Sequence, residues 1–246
     1  MSIQSLADDL ETVLLDVHRR GLADTTKITL VAYSLGCQVA LEWCRTHAQY
    51  VKGAALVLGT VRHCMSSVFC GFNVFANVAA RAMDAFPTVF AVAWRLLFTL
   101  TYWFSWYAHT LARVLGVLRV SYPEFKPFYA HLTRVHPGAY LKMLTSGQKH
   151  SALDVLALLD RREIPLLLVT GGKDVTVRKY AMEEMRRAAP RAQYVHVPNA
   201  CHAGMVGERF LISQALDDFF RAEEETTSFN AKRLSLGLSP PRERYW

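Results

Sequence analysis

Ile28-Thr-Leu-Val-Ala-Tyr33 is an almost wholly apolar run that stops at Ser34-Leu-Gly36, where apolar residues take up helical spacing at Val39, Ala40, Trp43 and Cys44. A short apolar run bounded in this way reads as a strand buried on both faces. The pattern predicts a strand over 28–33, a helix over 36–47 and a second buried strand over Gly53–Gly59. Two such strands joined through a helix must run parallel, with a right-handed crossover. Upstream, Leu6, Leu10, Val13, Leu14 and Val17 predict an amphipathic helix over 5–20, with Asp8, Asp9 and Glu11 in its early turns and Gly21 as its stop.

From Arg62 to His150 the character changes. This stretch holds 17 of the 28 aromatic residues, has helical periodicity and offers no convincing strand. The α/β alternation then resumes, with strands predicted over 164–170 and 192–197 and helices over 177–189 and 205–220. From Glu223 onward the chain is polar and contains Pro240-Pro241, so a disordered tail is expected over 223–246. The domain scheme that follows is a core in two parts, 1–61 and 151–222, with a helical cap inserted over 62–150.

Net charge is +7, and its placement says more than its size. Residues 62–150 hold nine Lys or Arg against two acids, which accounts for the whole excess. No recognition module accompanies it, so nucleic acid is not expected as a partner. The cysteines are Cys37, Cys44, Cys64, Cys70 and Cys201, an odd number without metal-binding spacing. Free thiols in a reducing, cytoplasmic compartment are the expectation, with no metal and no cofactor. Residues 1–9 are polar and do not read as a signal peptide.

Three residues stand where chemistry is built in such sheets. Ser34 lies between a buried strand and a helix, and a sharp turn there lifts its hydroxyl above the sheet at the positive end of the helix. That turn is expected to need small residues two before and two after the serine, here Ala32 and Gly36. A serine hydroxyl becomes a useful nucleophile only with a base in reach, an acid behind the base and donors for the oxyanion. Asp174 follows Gly171-Gly172-Lys173 at a strand's carboxyl end, where ligand sites form in open α/β sheets. Of nine histidines, His202 alone lies in a loop after the final strand. The roles expected are Ser34 as nucleophile, His202 as base, Asp174 as the acid that orients it, and the Leu35 N–H as oxyanion donor. Each also has an ordinary reading: helix N-cap, loop histidine, turn aspartate.

Ala32-Tyr-Ser-Leu-Gly36, Gly171-Gly-Lys-Asp174 and Asn199-Ala-Cys-His202, in that order, resemble the α/β-hydrolase superfamily. The stretch Tyr33–Trp43 is similar to bacterial-type members that carry a helical cap between the sixth and seventh strands. The resemblance covers about residues 1–61 and 151–222. It implies an α/β fold with a parallel sheet, helices on both faces and an all-helical cap, and a serine-ester or lipase-like activity without metal.

The chain also departs from that family. Complete members carry a strand and a His-Gly-type loop ahead of the nucleophile strand, and the loop supplies a second oxyanion donor. Here the first helix almost directly precedes the Ile28–Tyr33 strand, so a partial fold with an unpaired strand edge is expected. Loss of one oxyanion donor costs about 2.7–4 kcal/mol, so activity is expected to be impaired. A non-catalytic remnant acting as an interaction or membrane-associated module is the alternative.

Leu96–Ala112 contains no charged residue and is bounded by Arg95 and Arg113, with Trp94, Trp103 and Trp106 in or beside it. Three readings stand: a cap lining an acyl pocket, a cap that also touches membranes peripherally, and a short transmembrane helix. The first, with so many aromatics, points to a small hydrophobic ester or lipid as substrate.

Overall fold

The computed structural model describes residues 1–66, 72–115 and 118–235. In chain order the elements are α1 (Ile3–Arg19), β1 (Ile28–Tyr33), α2 (Gly36–His47), β2 (Val51–Val57), α3 (Asn73–Ala85), α4 (Pro87–Trp103), α5 (Ser105–Val114), α6 (Tyr122–Leu132), α7 (Pro137–Lys149), α8 (Leu153–Arg161), β3 (Leu166–Gly171), α9 (Lys179–Ala188), β4 (Gln193–Val197), α10 (Gly204–Gly207) and α11 (Arg209–Ser235). The fold is α/β, and α3 to α8 lie between β2 and β3.

The four strands form one parallel sheet in the order β1-β2-β3-β4. The inner strands β2 and β3 are buried almost throughout, as their continuous apolar sequence requires. Alternate residues feed two cores. Ala54, Leu56, Leu166 and Leu168 face α2, α8 and α9, with Ala7 of α1 joining them. Ala55, Val57, Leu167 and Val169 face Ile212 and Phe219 of α11. Helices therefore cover both faces of the sheet. β1 pairs with β2 alone, and its other edge carries no strand among the described residues. Val31 on that strand is 47% exposed.

Most predicted boundaries move by a residue or two, and the shifts have local causes. Ser2 and Ser5 form a capping box, so α1 starts at Ile3 rather than Ser5. β2 ends at Val57 rather than Gly59 because Leu58 takes a left-handed φ of 47°, although its N–H still bonds to the Val169 carbonyl. The helix expected over 205–220 is a single turn, α10, followed by the separate and much longer α11.

One expectation is corrected, and one of the three readings of the uncharged stretch is set aside. The disordered tail does not begin at Glu223. Helix α11 runs on to Ser235, and Glu223 is buried, accepting the Thr29 hydroxyl at 2.8 and 2.9 Å and pairing with Lys52 at 3.3 Å. Residues 236–246 of the expected tail, and Cys70, lie outside the described residues. The uncharged stretch Leu96–Ala112 is not one transmembrane helix, because it breaks at Phe104, between α4 and α5. Side-chain bonds from α6 hold both sides of the break: Tyr129 to Thr101, and Tyr122 to Ser105 at 2.7 Å. Among the described residues no single helix is long and apolar enough to cross a membrane; α3 and α4 pass that test only as a pair bent by 99°.

Candidate active site

The carboxyl ends of β1, β3 and β4 bring Ser34, Asp174 and His202 together. Ser34 leaves β1 with φ of 55°, a strained value for a residue with a side chain. Its N–H still reaches the Val57 carbonyl at 3.0 Å, and its carbonyl accepts the Cys37 N–H at 3.1 Å. The turn is thus tied to β2 on one side and to α2 on the other. The Leu35 N–H has no acceptor among the described residues, at a helix end without an acidic residue in its first turn. An orphan donor backed by an uncompensated helix dipole suits developing negative charge.

The turn is expected to need small residues at 32 and 36, and room for a Cβ at 36 leaves that in place while showing that glycine itself is not demanded there. A Cβ on Gly36 would meet nothing within 4 Å. The tight position is Gly59, just beyond β2. A Cβ on it would lie 2.3 Å from the Cys37 sulfur and 2.4 Å from the Ser34 carbonyl oxygen.

Asp174 and His202 are brought together by two loops that abut through backbone. The Gly172 N–H bonds to the Val197 carbonyl at 2.9 Å and the Lys173 N–H to the Ala200 carbonyl at 3.0 Å. Gly171 and Gly172 leave no room for a Cβ, with Ala200 O and Pro198 O each 2.4 Å from the ideal position. The Asp174 side chain is fully buried and saturated with donors. Its Oδ1 accepts from the Thr176 N–H at 2.8 Å, the Thr176 hydroxyl at 2.7 Å and the Val177 N–H at 3.0 Å. Its Oδ2 faces His202 Nδ1 at 3.0 Å.

That last contact fixes the tautomer. A carboxylate only accepts, so Nδ1 carries the proton and Nε2 presents a lone pair. Nε2 lies 2.8 Å from Ser34 Oγ, which donates to it. This is the hydrogen-bonded line that serine nucleophiles use. Tyr33 adds a contact from the strand itself: its hydroxyl donates to the His202 carbonyl and its ring stacks on the imidazole at 5.6 Å. Burial, and then the nearby Asp174 carboxylate, push the Tyr33 phenol above its ordinary pKa, so it remains a donor.

Ser34 opens into a cavity of about 630 Å³, within the range of small-molecule sites. Its walls are mainly apolar: Leu35 and Met65 near the sheet, Met83 of α3, Trp94 of α4, and Tyr140, Met143 and Leu144 of α7. Trp94 and Tyr140 pack at 4.8 Å between ring centres. Cys64 also lines it, and burial pushes its thiol up to about 12. Among the described residues no group of three or more His, Cys, Asp or Glu is placed to hold a metal ion.

Sequence reasoning missed Tyr33, Gly59 and Thr176. Thr176 had a signal, since Asp-x-Thr is the pattern of a local aspartate turn. Tyr33 and Gly59 had none, because both act across strands.

A family model described as the α/β hydrolase fold matches residues 1–208. The chain belongs to that family. Solved structures of similar fold include an esterase from Thermogutta terrifontis, at TM-score 0.62 and 19% identity over 91% of this chain and 73% of that one. A carboxylesterase of Nitrososphaera gargenis aligns at TM-score 0.64 and 12% identity, over 92% and 74% of the two chains. The enol-lactonase from Burkholderia xenovorans aligns at TM-score 0.56 and 13% identity, over 90% and 74%. No curated protein matches in sequence.

Proposed function

We propose that the chain is a serine ester hydrolase acting on a small hydrophobic, lipid-like ester. One observation carries the reading: the line Ser34–His202–Asp174, with contacts of 2.8 and 3.0 Å, opens into an apolar cavity of about 630 Å³. Ser34 Oγ attacks the ester carbonyl carbon while its proton passes to His202 Nε2. The Leu35 N–H holds the oxyanion. As the intermediate collapses, the bond to the alcohol breaks and the alcohol leaves with the proton from His202. Water, deprotonated by His202, then attacks the acyl-enzyme ester; the acid leaves, and Ser34 recovers its proton. Asp174, which keeps its negative charge, orients the imidazole throughout. No cofactor or metal enters these steps.

In this reading residues 62–150 are the cap, folded over a core made of 1–61 and of 151 onward through α11. The four described cysteines are free thiols, which suits a cytoplasmic setting.

A second reading is a non-catalytic module of the hydrolase fold, in which the Ser34–His202–Asp174 line is vestigial. A fluorophosphonate probe separates the two. Labelling of the wild-type chain that Ser34→Ala abolishes is expected for the enzyme. A folded chain that takes up no probe would refute the catalytic reading.

A further inference from the structure

We infer that the outward faces of α4 and α5 form a docking surface for an anionic phospholipid membrane. A helix on a globular protein turns its apolar stripe inward and its polar side to water. α4 does not. Its inward row is half-buried: Trp94 lines the Ser34 cavity, and Phe98 packs on Trp94 and on Tyr129 of α6. Its opposite side is equally apolar: Val89, Val92, Leu96, Leu100 and Trp103 are 64%, 52%, 59%, 63% and 79% exposed. At about 100° per residue these five fall within about 40° of one line along the helix. No residue of α4 is fully buried.

The stripe continues through the bend into an aromatic cluster. Phe104, Trp106 and Tyr107 are 60%, 56% and 62% exposed and pack mainly on one another, Trp106 to Tyr107 at 4.8 Å and Phe104 to Tyr107 at 6.0 Å. Eight large apolar residues exposed along one continuous face form the kind of patch that marks an interaction site. Exposed Trp and Tyr beside aliphatic residues form the kind of surface that sits at a bilayer's headgroup boundary.

Charge decides what covers it. Between Asp84 and Glu124 there is no acid, and the charged residues are Arg95, Arg113 and Arg119. All three are exposed, and none pairs with a carboxylate among the described residues. Arg95 lies about 100° around the helix from the apolar line, at its flank, where a guanidinium reaches phosphate while its neighbours enter the acyl region. A second copy of this chain would set the same arginines against one another across a two-fold axis, with no acid in the patch to answer them. An anionic lipid surface supplies both the apolar phase and the counter-charge.

The inference does not depend on the chemistry of Ser34, so the test uses the full chain in both wild-type and Ser34→Ala forms. Flotation is measured with vesicles of phosphatidylcholine alone and with about 30% phosphatidylserine. Both forms are expected to float with the anionic vesicles, and less so at high salt. Leu100→Ser with Trp103→Ser should weaken binding by about a hundred-fold, since each buried apolar side chain contributes about ten-fold. Arg95→Gln and Arg113→Gln should each weaken it roughly five-fold. Circular dichroism checks that each variant is folded. A folded chain that stays out of the anionic vesicle fraction overturns the inference. So does equal, salt-independent binding to both vesicle types. So does a dimer in sedimentation that the Leu100 and Trp103 changes dissolve while vesicles take up nothing.

Discussion

Gly59→Ala tests whether the Ser34 turn is held by the sheet or by its own local sequence. The added Cβ would sit 2.4 Å from the Ser34 carbonyl oxygen and 2.3 Å from the Cys37 sulfur, both deep in the structure. Neither neighbour can yield alone. The Ser34 carbonyl accepts the Cys37 N–H at 3.1 Å, the Ser34 N–H is bonded to β2 at 3.0 Å, and Cys37 is fully buried. Restoring ordinary contact requires the turn and β2 to separate by about 1 Å, and overpacking of this kind costs about 1–3 kcal/mol. For a domain of this size that lowers the melting temperature by roughly 2–12 °C. The effect on chemistry is larger, because an error of about 1 Å in the nucleophile's position costs on the order of 100-fold in rate.

The assay is the fluorophosphonate labelling rate, measured beside the thermal melt. Gly36→Ala is the control. Its Cβ meets nothing, so labelling and melting temperature should stay at wild-type values. If Gly59→Ala labels as fast as wild type and melts with it, the turn adapts freely and the argument from sheet contact is wrong. If Gly36→Ala is the damaging variant, the tight contact is on the other side of Ser34.

Tyr33→Phe removes the donor to the His202 carbonyl but keeps the stacked ring. It is expected to lower kcat by about ten-fold, through an imidazole less well held, and to cost about 1–3 kcal/mol for the unsatisfied carbonyl. An unchanged kcat in ester hydrolysis would remove Tyr33 from the positioning of His202. Burial holds the Cys64 thiol up at about 12, against 9.0 for a free one, so at pH 8 it has roughly a thousandth of the thiolate of an exposed cysteine. Iodoacetamide should therefore leave Cys64 unmodified in the native chain and modify it in urea, as read by mass spectrometry. Rapid native alkylation would show that the cavity wall around it is open.

Ser34, Asp174 and His202 could be read from the sequence because each follows a short run that reads as a strand: almost wholly apolar before Ser34 and Asp174, and Gln193-Tyr-Val-His-Val197 before His202. In a parallel sheet such strands end on one side, so the three loops converge whatever the intervening helices do. The glycine requirement could not be read in the same way. Val57 lies beside Tyr33 in the ladder, and only that register carries Gly59 against the Ser34 turn. Gly36 satisfies the motif but carries no contact that demands it. Glu223 opens a run as polar as any tail, yet it is held by Thr29 and Lys52 on β1 and β2, far away in the chain. No local signal encodes such a bond.

The break at Phe104 sets aside the transmembrane reading, one of the three left open for this stretch. Nothing in Leu96–Ala112 stops a helix, since it contains neither glycine nor proline. α6 divides it, with Tyr129 and Tyr122 bonded on either side of the bend. Periodicity fails here for a related reason. An all-apolar helix reads as buried, because sequence patterns assume water as the only alternative to the core. α4 is apolar on its exposed side as well as its half-buried one, and the membrane surface inferred above gives that side a second apolar phase, with Arg95 at its flank and no acid between Asp84 and Glu124 to answer it.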